Sequence, residues 1–227
     1  MRALHRWTIG KQAAEPHLNE DAVTYSNGDG VYAVSDGASE SFASGQWSRI
    51  LVSRFVRRPA IDEAWLARAI AAYHAAFDRA AMSWSAQASF DRGSFATLLG
   101  LRLDHAGASI LGIGDSLAVL DDGAEICATF PYSRPEQFRA NPLLLSTIHD
   151  RNAEILGGDF TAHWRLTGVH RLYCMTDALG AWLLSDRPER MAHLRALRSR
   201  AGFVALVEAA RADGTMRRDD TTLLVIG

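Results

Sequence analysis

Asp21-Ala22-Val23-Thr24-Tyr25-Ser26-Asn27-Gly28-Asp29-Gly30-Val31-Tyr32-Ala33-Val34-Ser35-Asp36-Gly37 reads as two strands joined by a tight turn. Asn-Gly and Asp-Gly tolerate positive φ, and between two apolar runs they signal a hairpin. The second strand, Val31 to Ser35, runs directly into a carboxylate and a glycine. That ending, a strand followed by aspartate, recurs along the chain.

Downstream the period changes. From Ser41 to about Arg58, Trp47, Ile50, Leu51 and Phe55 share one helical face, and Pro59 ends the run. Asp62 is a plausible N-cap for a second helix reaching about Ser85, with Ile61, Trp65, Ala69, Tyr73 and Phe77 on one stripe. From Ser94 the period returns to that of strands. Phe95 to Leu103, Ala108 to Ile113, Leu117 to Leu120 and Glu125 to Phe130 read as an antiparallel meander. Ser133 to Gly158, with Pro135 and Pro142, is poorly patterned and reads as a mobile loop. Strands follow at Thr161 to Leu166 and His170 to Thr176. Helical pattern then covers Leu179 to Leu184 and Pro188 to Ala212, the latter broken near Gly202. The chain closes on the strand Thr221 to Ile226. Helices between blocks of antiparallel strands give an α+β layered domain. No linker divides residues 1–227, so one domain is expected.

Composition narrows the function. The 227 residues are 48% apolar and 22% charged, as in an ordinary globular protein. The net charge is −2, which disfavours a dedicated nucleic-acid binder. No apolar stretch approaches the length of a membrane span, and the first residues lack a signal-peptide core, so a cytoplasmic protein is expected. Cys127 and Cys174 each lie in an apolar run and read as buried, unreactive thiols. The arginines between Arg187 and Arg200 read as a solvated helix face, and the tryptophans and phenylalanines on helical stripes as core.

The aspartates at strand ends carry the chemistry. Asp36 follows one strand, Asp177 another, Asp219-Asp220 opens the last, and Asp115 sits at a glycine break between strands. Asn19-Glu20-Asp21 opens the hairpin. Taken singly, each reads as a turn former. Five such sites beside strands weigh against five independent turns. Carboxylates gathered on one sheet rim repel one another and need neutralising. Their hard oxygens suit Mg²⁺ or Mn²⁺ rather than zinc. Gly37 would let a backbone carbonyl approach such an ion.

In this order, Asn19-Glu20-Asp21, Ser35-Asp36-Gly37, Gly93-Ser94-Phe95-Ala96-Thr97, Gly114-Asp115-Ser116, Thr176-Asp177 and Asp219-Asp220-Thr221-Thr222, the series resembles the protein phosphatase 2C (PPM) family. The resemblance spans about residue 15 to 227. It implies a four-layered α-β-β-α sandwich of two antiparallel sheets flanked by helices, with two Mn²⁺ or Mg²⁺ ions, and a looser third in many members, in a cleft between the sheets. It implies that Asp36 bridges two ions beside the Gly37 carbonyl, and that Asp177 and Asp219 complete the main site. Glu20 and Asp21 match ligands of the second ion, Asp115 one of the third, and Asp220 a supporting position. The implied activity is hydrolysis of phosphoserine or phosphothreonine in a protein, opposing a kinase, by a metal-activated water attacking phosphorus in line.

The departures are specific. Pro16 stands where many members carry a phosphate-gripping arginine; the adjacent His17 is a weaker candidate for substrate binding, or simply a surface histidine. Ala38 replaces a histidine of eukaryotic members, Ala181 a third-metal aspartate, and Ala178 a common glycine. These losses motivate a rival: an inactive module that binds a phosphoprotein or a kinase. A different two-metal hydrolase, such as a nuclease, is a second rival, disfavoured by the net charge and the absence of a basic groove signal.

Overall fold

The computed structural model describes residues 1–12, 15–168 and 170–227. Two five-stranded antiparallel sheets form its middle. The first has the strand order β1 (Ala3–Ile9), β12 (Thr221–Ile226), β11 (Arg171–Met175), β7 (Leu117–Asp121), β8 (Ile126–Phe130). The second has the order β10 (Thr161–Trp164), β6 (Gly107–Ile113), β5 (Leu98–Asp104), β3 (Val31–Ser35), β2 (Ala22–Ser26). The opening hairpin is present in the register its turn dictates, with Ser26 opposite Val31 and Ala22 opposite Ser35.

Three apolar clusters show how the layers stack. Tyr32, Val34, Leu99 and Leu101 of the second sheet meet Ala118, Leu120, Leu172, Cys174, Leu224 and Ile226 of the first. The alternate residues point outward. Val31, Ala33 and Leu98 pack under α1 (Ser44–Arg57) and α2 (Glu63–His74) through Trp47, Leu51, Phe55 and Trp65. Leu117, Val119, Tyr173, Met175, Leu223 and Val225 pack under α5 (Asp177–Ser185), α6 (Arg187–Ala196) and α7 (Arg200–Ala212). Period-2 side chains bury both faces of each central strand, so the strands read as unbroken apolar runs although the sheets are antiparallel. The result is an α+β, four-layered α-β-β-α sandwich.

Several boundaries differ from the sequence reading. The helix expected from Asp62 to Ser85 stops at His74. A single 3-10 turn, Arg79–Ala81, and α3 (Trp84–Asp91) follow. Asp78 and Ser83 accept N–H bonds from Ala80 and Ala86, each starting a new element. The fold-back lets Phe42, Tyr73, Phe77 and Phe90 cluster, with Tyr73 and Phe77 ring centres 5.1 Å apart. Trp84 is carried outward and is 86% exposed, not core.

The expected strand Phe95 to Leu103 breaks at Thr97, whose N–H goes to the Asp36 carbonyl. Phe95–Ala96 (β4) pairs instead with Leu145–Ser146 (β9). The meander is divided between the two sheets, β5 and β6 in one and β7 and β8 in the other. The chain crosses over at Gly114-Asp115-Ser116.

The segment read as a mobile loop contains β9, the 3-10 turns Pro135–Arg139 and His149–Asn152, and α4 (Ala153–Gly157). Asn152 is buried there, accepting from the Ser146 N–H at 2.9 Å and donating to the carbonyls of Ser146, Ile148 and His149. The last helical break lies before Ser199, which accepts from the Gly202 N–H, so Gly202 starts a helix rather than ending one. Arg195 is not merely solvated: its guanidinium pairs with the buried Asp121. Cys174 is buried and Cys127 is exposed. Among the described residues no helix is long and apolar enough to cross a membrane.

Candidate functional site

The strand ends of both sheets open on the same rim. Asp36 leaves β3 and Asp115 leaves β6 in one sheet; Asp177 follows β11 and Asp219 precedes β12 in the other. All four line one cleft of about 370 Å³. Gly37, Ala38, Ser39, Thr97, Phe138, Arg139 and Arg217 are also part of its wall.

Each carboxylate is held by local structure. The Asp36 N–H donates to Thr97 Oγ1 at 2.9 Å, and Thr97 Oγ1 shares a 2.8 Å hydrogen bond with Ser116 Oγ, tying the strand end to the crossover. Gly37 allows the close approach of α1. A Cβ there would lie 2.9 Å from Ser44 Cβ and from Ser48 Oγ. Gly114 has φ +94, and a Cβ on it would meet Thr97 Cγ2 at 2.6 Å, so the crossover before Asp115 requires glycine.

Asp21 stands behind the cleft. Its Oδ2 accepts from Thr176 Oγ1 at 3.1 Å, and Thr176 Oγ1 in turn accepts the Thr222 N–H at 3.0 Å. Asp220 is structural. Its Oδ1 accepts the Lys11 N–H and its Oδ2 the Glu20 N–H, both at 2.7 Å, joining the three segments.

Electrostatics mark the cluster as frustrated. Burial, and then the charges of Asp21, Asp115 and Asp219, hold the Asp36 carboxyl well above its ordinary range. Burial pushes Asp21 up to about 7, with Asp220 and Asp219 adding to it and the Thr222 and Thr176 hydroxyls opposing it. Asp115 is raised in the same direction, again by burial first. Asp21 Oδ1 and Asp177 Oδ1 are buried without a hydrogen-bond partner. Oxygen-only donors, mutual repulsion and orphaned carboxylate oxygens fit a hard divalent cation. The fit is one of chemistry and location. Among the described residues no three His, Cys, Asp or Glu side chains already converge on one ion-sized point.

Not every sequence candidate reaches the cleft. Glu20 is engaged by Lys11 Nζ at 2.9 Å and by the Ser44 hydroxyl, and it lines a neighbouring depression with His17 and Arg49. His17 therefore faces that depression rather than the carboxylates. Residue 16 opens a 3-10 turn, Pro16–Leu18, and its side chain lies outside what the structure describes.

Two arginines escaped the sequence reading. Arg217 Nη2 pairs with Asp177 Oδ2 and approaches Asp219 Oδ2 at 3.5 Å. Arg211 is buried beneath the final turn and donates to the carbonyls of Gly10 and Asp219 and to Thr221 Oγ1. The adjacent Arg217-Arg218 pair before Asp219 was visible in sequence, but nothing there distinguished it from a solvated turn.

No family model matches the chain, and no curated protein matches it in sequence. Solved structures do. Stp1, a serine/threonine phosphatase from Staphylococcus aureus, superposes with a TM-score of 0.64 at 16% identity, covering 97% of this chain and 92% of that one. The chain has the PPM phosphatase fold. The PPM Ser-Thr phosphatase MsPP from Mycobacterium smegmatis, in complex with cacodylate, gives a TM-score of 0.59 at 19% identity over 100% of this chain and 99% of its own. The catalytic domain of the serine threonine protein phosphatase PstP, in complex with two manganese ions, gives 0.59 at 18% identity over 97% and 95%. In this PPM fold the acidic cleft lies where the two sheets meet at one rim.

Proposed function

We propose that the chain is a metal-dependent phosphatase acting on phosphoserine or phosphothreonine in proteins, with residues 1–227 working as one cytoplasmic domain and a serine/threonine kinase supplying its substrates. One observation carries the reading: Asp36 from one sheet, Asp177 and Asp219 from the other and Asp115 from the crossover between them line a single cleft. The manganese complex of PstP and the names of the other structural relatives support it.

In this reading Asp36, Asp115, Asp177 and Asp219, with Asp21 behind them and the Gly37 carbonyl beside them, hold two Mn²⁺ or Mg²⁺ ions and a looser third. When bound, the ions supply a water of lowered pKa and neutralise phosphoryl oxygens. The chain's own residues do the rest. Thr97 and Ser116 fix the backbone that carries Asp36 and Asp115. Asp220 fixes the Lys11 and Glu20 segments against the final strand. Ala38 offers no proton donor to the leaving group. Glu20, tethered to Lys11 and Ser44 in the neighbouring depression, is assigned no ion, and His17 is assigned no contact with substrate.

A second reading is kept because Glu20 and Asp177 are each held by a basic side chain. In it the cleft binds a phosphoprotein without hydrolysing it. Turnover of p-nitrophenyl phosphate and of a phosphothreonine peptide, with and without Mn²⁺, separates the two. Mn²⁺-dependent release of phosphate supports the enzyme. Peptide binding with no release supports the binding module.

A further inference from the structure

An acidic cleft that is to admit a phosphate monoester needs a directional cation as well as metal charge, because its own carboxylates repel the incoming dianion. Among the described residues lining the cleft, the cations are Arg139 and Arg217. Lys11 is spent on Glu20 Oε2 and Ser39 Oγ, and Arg49 faces the neighbouring depression with His17.

Arg217 is built into its place. Two residues later, the Asp219 carbonyl is gripped by the buried Arg211. One residue earlier, Met216 is buried in the core under α7, and its N–H goes to the Ala210 carbonyl at 2.9 Å. The backbone is thus pinned on both sides, and the side chain crosses the mouth of the cleft half-exposed. Its contacts to Asp177 and Asp219 run through Nη2. A guanidinium carries five donors in a fixed fork, so this engagement leaves donors for an anion.

We propose that Arg217 is the residue that grips the phosphoryl group of the substrate, donating to its non-bridging oxygens from beside Asp177 and Asp219. The proposal rests on the phosphatase reading. It makes Arg217 a substrate-binding residue that contributes to ground state and transition state alike.

The test compares the wild type with Arg217→Gln, Arg217→Lys and Arg139→Gln, all loaded with Mn²⁺. The readouts are KM and kcat for p-nitrophenyl phosphate, and calorimetric binding of inorganic phosphate and of Mn²⁺. Arg217→Gln should raise KM and the phosphate Kd together by about ten-fold or more, as loss of a charge-assisted donor pair requires. kcat should fall far less, Arg217→Lys should recover part of the binding, and Mn²⁺ affinity should hold or tighten. Unchanged phosphate affinity in Arg217→Gln overturns the proposal, as does a phosphate effect found only in Arg139→Gln. Weakened Mn²⁺ binding would make Arg217 a prop for the carboxylates and also overturns it. A wild type without turnover sinks the phosphatase reading alone if phosphate still binds through Arg217. A wild type that neither turns over nor binds phosphate sinks both.

Discussion

Arg211 lies beneath Asp219 and donates to its backbone carbonyl from within the core. The same guanidinium reaches Gly10 and Thr221, so one buried cation joins the end of β1 to the start of β12. Replacing it with leucine strands the Gly10 and Asp219 carbonyls and leaves the Glu208 carboxylate without its partner. Arg211→Leu should lose about 3 kcal/mol of stability in urea titrations, and Arg211→Lys should recover little, since one ammonium cannot reach all three acceptors. A loss below about 1 kcal/mol would mean that solvent satisfies those carbonyls.

Divalent metal should stabilise the chain through the carboxylate cluster. At a Mn²⁺ concentration about a hundred times Kd, linkage gives about 2.7 kcal/mol, read as a rise in Tm. Asp36→Asn should abolish both that rise and the Mn²⁺-dependent turnover. Asp115→Asn should keep most of the rise and lose turnover. An undiminished Tm rise in Asp36→Asn would place the metal elsewhere.

Gly37→Ala tests the close approach of α1. The added methyl lands 2.9 Å from Ser44 and Ser48 atoms, one of them backbone. Overpacking of this kind costs about 1–3 kcal/mol. Because the strain falls next to Asp36, activity should drop further than stability alone explains. Wild-type turnover in folded Gly37→Ala would remove Gly37 from the site.

A pH-dependent effect is expected at α2, far from the cleft. Asp62 accepts the Trp65 N–H at 2.7 Å and pairs with Arg58, and these contacts, the N–H first, hold its carboxyl below the ordinary range. A depressed carboxyl contributes stability above its unfolded pKa of about 4 and loses it as pH falls through the folded value. Asp62→Ala should therefore lower Tm at pH 7, and the gap to wild type should narrow when melts are repeated near pH 3. A constant gap would show that the hydrogen bond matters and the charge does not.

The hairpin, the amphipathic α1, the Asp62 cap and the closing strand were all legible, because each rests on local periodicity or a single capping residue. So was the position of Asp36, Asp115, Asp177 and Asp219 beside strand ends, since a carboxylate next to a strand is a local pattern. The division of Phe95 to Leu103 at Thr97 was not, because it depends on a hydrogen bond to Asp36 sixty-one residues away. Neither was the order within 133–158, where Asn152 organises backbone through its side chain. The setting of Glu20 turns on Lys11, a partner that no spacing rule couples to it, and that of His17 on the depression it shares with Arg49. Arg217 was hidden for the same reason: its role depends on which loop closes over which strand end.

The layer between the sheets, where Tyr32 and Leu99 meet Cys174 and Leu224, also has a mechanical consequence. Asp36 is carried by one sheet, Asp177 and Asp219 by the other and Asp115 by the crossover between them, so the cleft works as a caliper whose jaws are the two sheets. Its gap is set by side-chain volume deep in the interlayer together with the Asp21–Thr176 hydrogen bond that joins the sheets at the rim. A change of side-chain volume at Cys174, as in Cys174→Ala or Cys174→Val, would reset the spacing of the four carboxylates with every one of them still in place.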